Sequence, residues 1–224
     1  MTISSAPLSR REEAYERLLA AIIYSDLQPG SAVDEKSLAE RFGIGLAGVR
    51  DALVRLESEG FVERQPRIGT KIAALGLREL HDVFEMRFII EPMTAYIAAK
   101  RAEQSDIDLL LRLADRYREI GRTRDVRELM QIDQQFHRAV AAATKNAFLE
   151  RQVTVLTNSA LRFLYANAPR LSDAARQENL SDHIEVITAI QARNSEAAQQ
   201  AMRRLIGEVP GFVDSSEKLG FGKP

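Results

Sequence analysis

The chain has no cysteine. Disulfides and cysteine-based zinc sites are therefore excluded, and a cytoplasmic location is the expectation that fits. No run of 18 apolar residues occurs, so no membrane-spanning helix is expected. The first residues lack a basic region followed by an apolar stretch, so no secretion signal is expected either. An excess of one charge is missing too. Lys and Arg number 31 and Asp and Glu 32, for a net charge of −1. That balance gives no global attraction to nucleic acid. Histidine is scarce, at three. Internal repeats and low-complexity segments are absent.

What is present is an ordinary globular composition, 45% hydrophobic and 28% charged over 224 residues. That length suits one or two domains. The stretch from Asp34 to Ile72 organises the rest. Leu38, Ala39 and Phe42 are spaced for one face of a helix, and Val49, Ala52, Leu53 and Leu56 for one face of the next. Between them Gly43-Ile44-Gly45 permits a sharp reversal. Gly60 is a natural stop for the second helix. Phe61 to Arg64 and Thr70 to Ala73 then read as two short strands around a turn holding Pro66 and Gly69. This is the layout of a winged helix-turn-helix.

With Val49, Leu53 and Leu56 inward, Leu46, Ala47, Arg50 and Asp51 face outward at the start of the second helix. A recognition helix puts its N-terminal residues at the base edges of the major groove. Arg50 can there reach guanine with two hydrogen bonds. Arg64, Arg67 and Lys71 fall on the hairpin, where phosphate contacts would lie. Residues 41–71 hold six basic and four acidic residues, a local excess only. A protein-binding winged helix is the alternative reading of the same pattern.

Residues 1–8, with Pro7, read as a loose tail. Arg10 to Ser25 reads as a helix with Ala14, Leu18 and Ile22 as its stripe. A short junction, Ala73 to Gly76, closes this first domain, residues 1–74. From Leu77 onward the pattern is helical: Leu77 to about Ala102 with Pro92 inside it, Ser105 to Ile120 ended by Gly121, Asp125 to Thr144, Asn146 to Asn167, Ser172 or Asp173 to about Arg193, and Ser195 to Gly207. In the first of these, Leu80, Val83, Phe84, Phe88 and Ile90 are the expected core residues. Six such helices make an antiparallel bundle over residues 75–213, with a flexible tail at 214–224. The expected fold class is therefore mainly α, a winged helix-turn-helix followed by an all-α bundle.

Asp133 and His137 lie four apart on one helix face. His183 is in register with Val186, Ile187 and Ile190, so it points inward. Two inward histidines near a carboxylate suit a divalent metal such as zinc, nickel or manganese. The same spacing suits a hydrogen-bonded Asp–His pair beside an unrelated core histidine. Arg87 lies near the apolar face of its helix. It can bind an organic acid through its planar fork, or form an i, i+4 salt bridge with Glu91. Arg162 and Arg176 are weaker candidates for the same role, and otherwise read as solvated. Tyr165 and Asn179 are placed to line a pocket, Asn179 one turn before His183.

The first stretch resembles the GntR superfamily of bacterial transcription regulators. The carriers are Leu38-Ala39-Glu40-Arg41-Phe42-Gly43-Ile44, the run from Val49 to Val62, Arg67-Ile68-Gly69-Thr70, and Leu27-Gln28-Pro29-Gly30. The resemblance covers residues 10–74. It implies three basic DNA-contacting positions, at Lys36, Leu46 and Arg50. The middle one has lost its charge here, because Gly45-Leu46-Ala47-Gly48 replaces the family's usual Ser/Thr-Arg-Thr-Pro. The helix N-cap has become Gly45, a weaker cap.

Residues 77–212 resemble the FCD ligand-sensing domain of the FadR subgroup. The carriers are Arg87-Phe88-Ile89-Ile90-Glu91, Asp133-Gln134-Gln135-Phe136-His137 and the run from Asp182 to Ile190. In metal-binding members one Asp and three His converge. Asp133, His137 and His183 match the first three, and Leu205 stands where the fourth would be. The resemblance implies a homodimer that binds a double-stranded DNA operator and responds to a small organic-acid effector, usually as a repressor. Two other functions remain open at this point. One is a regulator whose helical domain only dimerises. The other is a metalloenzyme using two His and one carboxylate.

Overall fold

The structure, a computed structural model, describes residues 9–65, 69–74, 76–123, 125–167 and 173–207, with backbone alone at 77, 121–123, 167 and 173–179. The chain forms two compact units, residues 1–77 and 78–224.

In the first unit α1 spans Arg10–Ile23, α2 Glu35–Phe42 and α3 Leu46–Ser58. Each start has a local cause. The Ser9 side chain accepts from the Glu12 amide, and the Asp34 side chain from the Ser37 amide at 2.6 Å. Gly43 closes α2 with φ of 62°, a left-handed turn that costs glycine least. Helix α3 starts at Gly45 without a side-chain cap. Ala14, Leu18 and Ile22 of α1 are buried, as are Val49, Leu53 and Leu56 of α3, and the two helices pack together.

Three antiparallel strands complete this unit, β1 Ala32–Val33, β2 Val62–Gln65 and β3 Gly69–Ile72, in the order β1-β3-β2. The hairpin β2–β3 was expected, with Val62 opposite Ile72. Strand β1 was not. Two residues are too short to show alternation, and tertiary pairing makes it: Ala32 lies opposite Lys71, and the Gly30 amide donates to the Ile72 carbonyl at 2.8 Å. Residues 66–68, with Arg67, lie outside the described residues.

The second unit is helical throughout its described residues: α4 Leu77–Arg101, α5 Gln104–Thr123, α6 Val126–Ala143, α7 Ala147–Asn167, α8 Asp173–Gln191 and α9 Ser195–Gly207. The mainly-α class and the six-helix bundle stand as read from the sequence. Asp125 caps α6, Asn146 caps α7, and Asn194 accepts from the Ala197 amide at the start of α9. The core joins Ala95, Ala98 and Ala99 of α4 to Leu110, Leu113 and Tyr117 of α5, Phe136 of α6, Val186 and Ile190 of α8, and Ala201 and Leu205 of α9.

Two expectations need correcting. Gly121 does not end α5, which runs on to Thr123. A glycine inside a helix costs only about 1 kcal/mol relative to alanine, so neighbours can carry the helix through it. Phe88, read as core, is 38% exposed, and the Arg203 guanidinium lies over its ring. The run Phe88-Ile89-Ile90 is too broad for one helical face, so part of it must turn outward. The tail at 214–224 lies outside the described residues.

Candidate functional site

Each unit carries its own candidate site. In the first, Lys36, Ala47, Arg50 and Arg64 are exposed, while Leu46 and Lys71 are half-buried. Three of the cations on α3 and the hairpin are engaged with carboxylates. Arg50 Nε donates to Glu35 Oε2 at 2.7 Å, Arg64 Nε lies 3.1 Å from Glu57, and Lys71 Nζ lies 2.9 Å from Glu63. Such exposed pairs hold little energy, about 0–1 kcal/mol, so DNA phosphates can compete for these cations.

In the second unit the polar residues of α4, α6 and α8 meet inside the bundle. His137, His183, Arg87 and Glu91 are at most 3% exposed, and the Asp133 side chain 13%. His183 Nε2 is 2.8 Å from Asp133 Oδ1, and His137 Nε2 is 3.8 Å from Asp133 Oδ2. Arg87 Nε donates to Glu91 Oε1, and its terminal nitrogen lies 3.1 Å from His137 Nε2. A guanidinium only donates, so this contact is a hydrogen bond only when Nε2 accepts. Nδ1 faces Glu91 Oε2 at 2.5 Å, an ion-pair distance without the alignment of a hydrogen bond.

Phe136 and Tyr117 wall this group. The Tyr117 ring centroid is 4.6 Å from that of His183, and Phe136 is 4.7 Å from the same ring. Burial in this apolar wall would raise the Glu91 carboxyl. The Arg87 guanidinium and His137 overcome it and hold Glu91 at about 2. Burial works against Asp133 likewise, and His137, His183 and Arg87 bring it down to about 2. The Tyr117 hydroxyl goes the other way, pushed well above its ordinary value by burial and then by the Asp133 charge.

The three residues read as metal ligands are thus brought together, each offering one ligand atom within 4.8 Å of the others. Leu205 is buried, as its inward placement on α9 required. Of the two sequence readings of Arg87, the salt bridge with Glu91 is present, and the guanidinium also reaches His137. Tyr165 is half-buried on α7, and the Asn179 side chain lies outside the described residues. Arg162, read as solvated, is 4% exposed, and burial lowers its guanidinium below the ordinary value.

Several buried polar residues of the bundle were missed from the sequence. Tyr117 sits on the inward stripe of α5. Thr157 and Asn158 are fully buried on α7, and Asn158 Oδ1 accepts from Gln134 Nε2 at 2.7 Å. The available signal was register: Thr157 lies four residues after Val153 and four before Leu161, both buried.

Residues 10–72 match the bacterial regulatory proteins of the gntR family, and residues 82–208 match the FCD domain. The chain belongs to the gntR family and carries an FCD domain in its helical unit, as in FadR-like regulators. It is a DNA-binding transcription regulator and not an enzyme, which removes the metalloenzyme alternative.

Its relatives include the HTH-type transcriptional regulator McbR of Escherichia coli (strain K12), 22% identical over 80% of this chain and 81% of McbR. The HTH-type transcriptional repressor RspR of the same strain is 21% identical, over 90% and 88%. Among solved structures, E. coli McbR/YncC has the same fold with a TM-score of 0.80 at 18% identity, covering 96% of this chain and 100% of that one. Lar of Listeria monocytogenes has a TM-score of 0.60 at 16% identity, covering 98% and 100%.

Glu91 and Asp133 hold their protons less tightly when folded than when unfolded. Their contribution to stability is therefore complete above their ordinary values, near 4.5 and 3.8, and is lost as pH falls toward 2. Glu91→Gln leaves the Arg87 guanidinium buried without its carboxylate. It should cost about 3–5 kcal/mol at neutral pH. Its stability should also fall less steeply than wild type between about pH 5 and pH 2, as read by urea unfolding across that range.

Proposed function

We propose that residues 1–74 read an operator and that residues 75–213 sense a small organic acid and hold the dimer. Buried polar atoms without partners carry this reading. The Tyr117 hydroxyl, Thr157 Oγ1 and Asn158 Nδ2 are all buried and unbonded. Each such orphan costs about 1–3 kcal/mol, and oxygens of a bound ligand would satisfy them.

Asp133, His137 and His183 would hold a divalent metal, supplied as zinc, nickel or manganese. Two imidazoles and a carboxylate fit these ions, and three protein ligands leave a position for water or for the acid's carboxylate. Such an ion would polarise and anchor that carboxylate. Arg87 must first leave His137 Nε2, the atom the metal needs. A released guanidinium at this place suits the second carboxylate oxygen. With Leu205 as the fourth residue, the site holds metal weakly. That same leucine favours the second reading, a regulator whose helical unit only dimerises.

Homodimerisation is supported by α4. Among the described residues, Met86, Ile89 and Met93 of this helix are large, apolar and exposed, at i, i+3 and i+7 on one side. The regulator would act as a repressor, blocking polymerase at a two-fold-related operator.

Three outcomes follow. Arg50→Ala should cost about 1–3 kcal/mol at the operator by gel shift, whereas Lys71→Ala should weaken specific and non-specific DNA alike. Unchanged operator affinity for Arg50→Ala would show that α3 is not the reading helix.

Elemental analysis should find metal in purified protein, and a chelator should lower its melting temperature. His137→Ala and His183→Ala should abolish the chelator effect, and Leu205→His should tighten binding. Wild type that carries no metal and ignores added zinc, nickel and manganese would leave the acid to Arg87 and neutral histidines. If small acids also fail to shift its melting, the dimer-only reading stands.

Ile89→Glu should convert the dimer to monomers by light scattering and weaken operator binding. A persistent dimer would place the interface elsewhere.

A further inference from the structure

We propose that Glu35 is the positioning residue for base recognition, holding Arg50 in the orientation that reads guanine. The inference rests on Arg50 being the base-reading arginine.

Arg50 is a long side chain, 60% exposed at the start of α3. Left alone, it would sample many rotamers, and ordering it would cost side-chain entropy. It is not left alone. Its Nε donates to Glu35 Oε2 at 2.7 Å, across fifteen residues of sequence and between two helices. Glu35 is a firm anchor. It is the first residue of α2, beside the Asp34 cap, and α2 is fixed by buried Leu38 and closed by Gly43. Glu35 itself is only 33% exposed.

The atom that Glu35 engages matters. With Nε held, the two terminal nitrogens remain to donate together, and that pair matches guanine O6 and N7. The carboxylate thus selects the end-on presentation of the fork. Lys71 and Arg64 on the hairpin are also paired to carboxylates, but phosphate contact asks for charge rather than for a fixed fork.

A competing role for Glu35 is a simple charge mask that weakens all DNA binding. The two roles need different things from the side chain. A mask needs charge. A positioning residue needs an acceptor oxygen that reaches Nε. Glu35→Asp keeps the charge and shortens the reach by one methylene. Glu35→Gln keeps the reach and removes the charge.

The test uses the full-length protein. Duplex sites are selected from a random pool with wild type. The guanine read by Arg50 is then the one whose replacement no longer matters to Arg50→Ala. The wild-type preference there is on the order of 5–150-fold for a bidentate arginine.

Glu35→Asp should reduce that preference at least about threefold, with preferences at other positions, non-specific affinity and melting temperature unchanged. Glu35→Gln should keep most of the preference and bind non-specific DNA more tightly. Full preference in Glu35→Asp, or preference lost in Glu35→Gln alone, would overturn the proposal and leave Glu35 as a mask. If Arg50→Ala shows no altered position at all, the failure lies in the role of Arg50 itself.

Discussion

The helical unit depends on a group of five ionisable side chains kept from water. Arg87, Glu91, Asp133, His137 and His183 lie on three helices that are far apart in sequence. Unpaired, any of these charges would be expelled from a core walled by Phe136 and Tyr117. Paired, they fix the depth and rotation of α4, α6 and α8 relative to one another. An i, i+4 step sets Arg87 against Glu91 on α4, and another sets Asp133 beside His137 on α6. The contacts between helices, Arg87 to His137 and His183 to Asp133, exist only once those steps face each other.

This group is also where structure becomes chemistry. Depressed carboxyls are acceptors held ready for a cation. One cation, Arg87, already belongs to the chain. A metal at this place would therefore compete with Arg87 for the same imidazole nitrogen. Occupancy of the proposed site would then depend on the position of a side chain on α4, the helix that also bears the exposed apolar residues Met86, Ile89 and Met93. Under the proposed function, this shared helix would link ligand state to assembly without a long pathway across the bundle.

Most of the architecture was legible in the sequence, because apolar spacing and punctuation agree. The stripes of α1 and α3, the reversal at Gly43 and the stop at Gly60 are local signals. What escaped is non-local. Strand β1 has two residues and no pattern of its own; only β3 makes it a strand. Phe88 obeys the core pattern, but its helix is apolar on more than one side. The metal-ligand candidates were found by helical register plus family resemblance. The orphans Tyr117, Thr157 and Asn158 were not found, because a polar residue on an apolar stripe shows its meaning only when its neighbours fail to bond it. Glu35 was missed for another reason: its partner Arg50 lies beyond a turn, and nothing in either helix alone pairs them.

Gly45 has a consequence of its own. Because no side chain caps α3, the first amides of that helix lack the acceptor that a serine or threonine would supply. They sit at the end of the helix where the peptide dipoles sum to partial positive charge. A backbone phosphate is the right acceptor for them. If α3 is the reading helix, DNA would then supply the acceptor that its first turn lacks. On that reading, the peptide backbone beside Leu46 would partly replace the positive charge that the side chain does not carry.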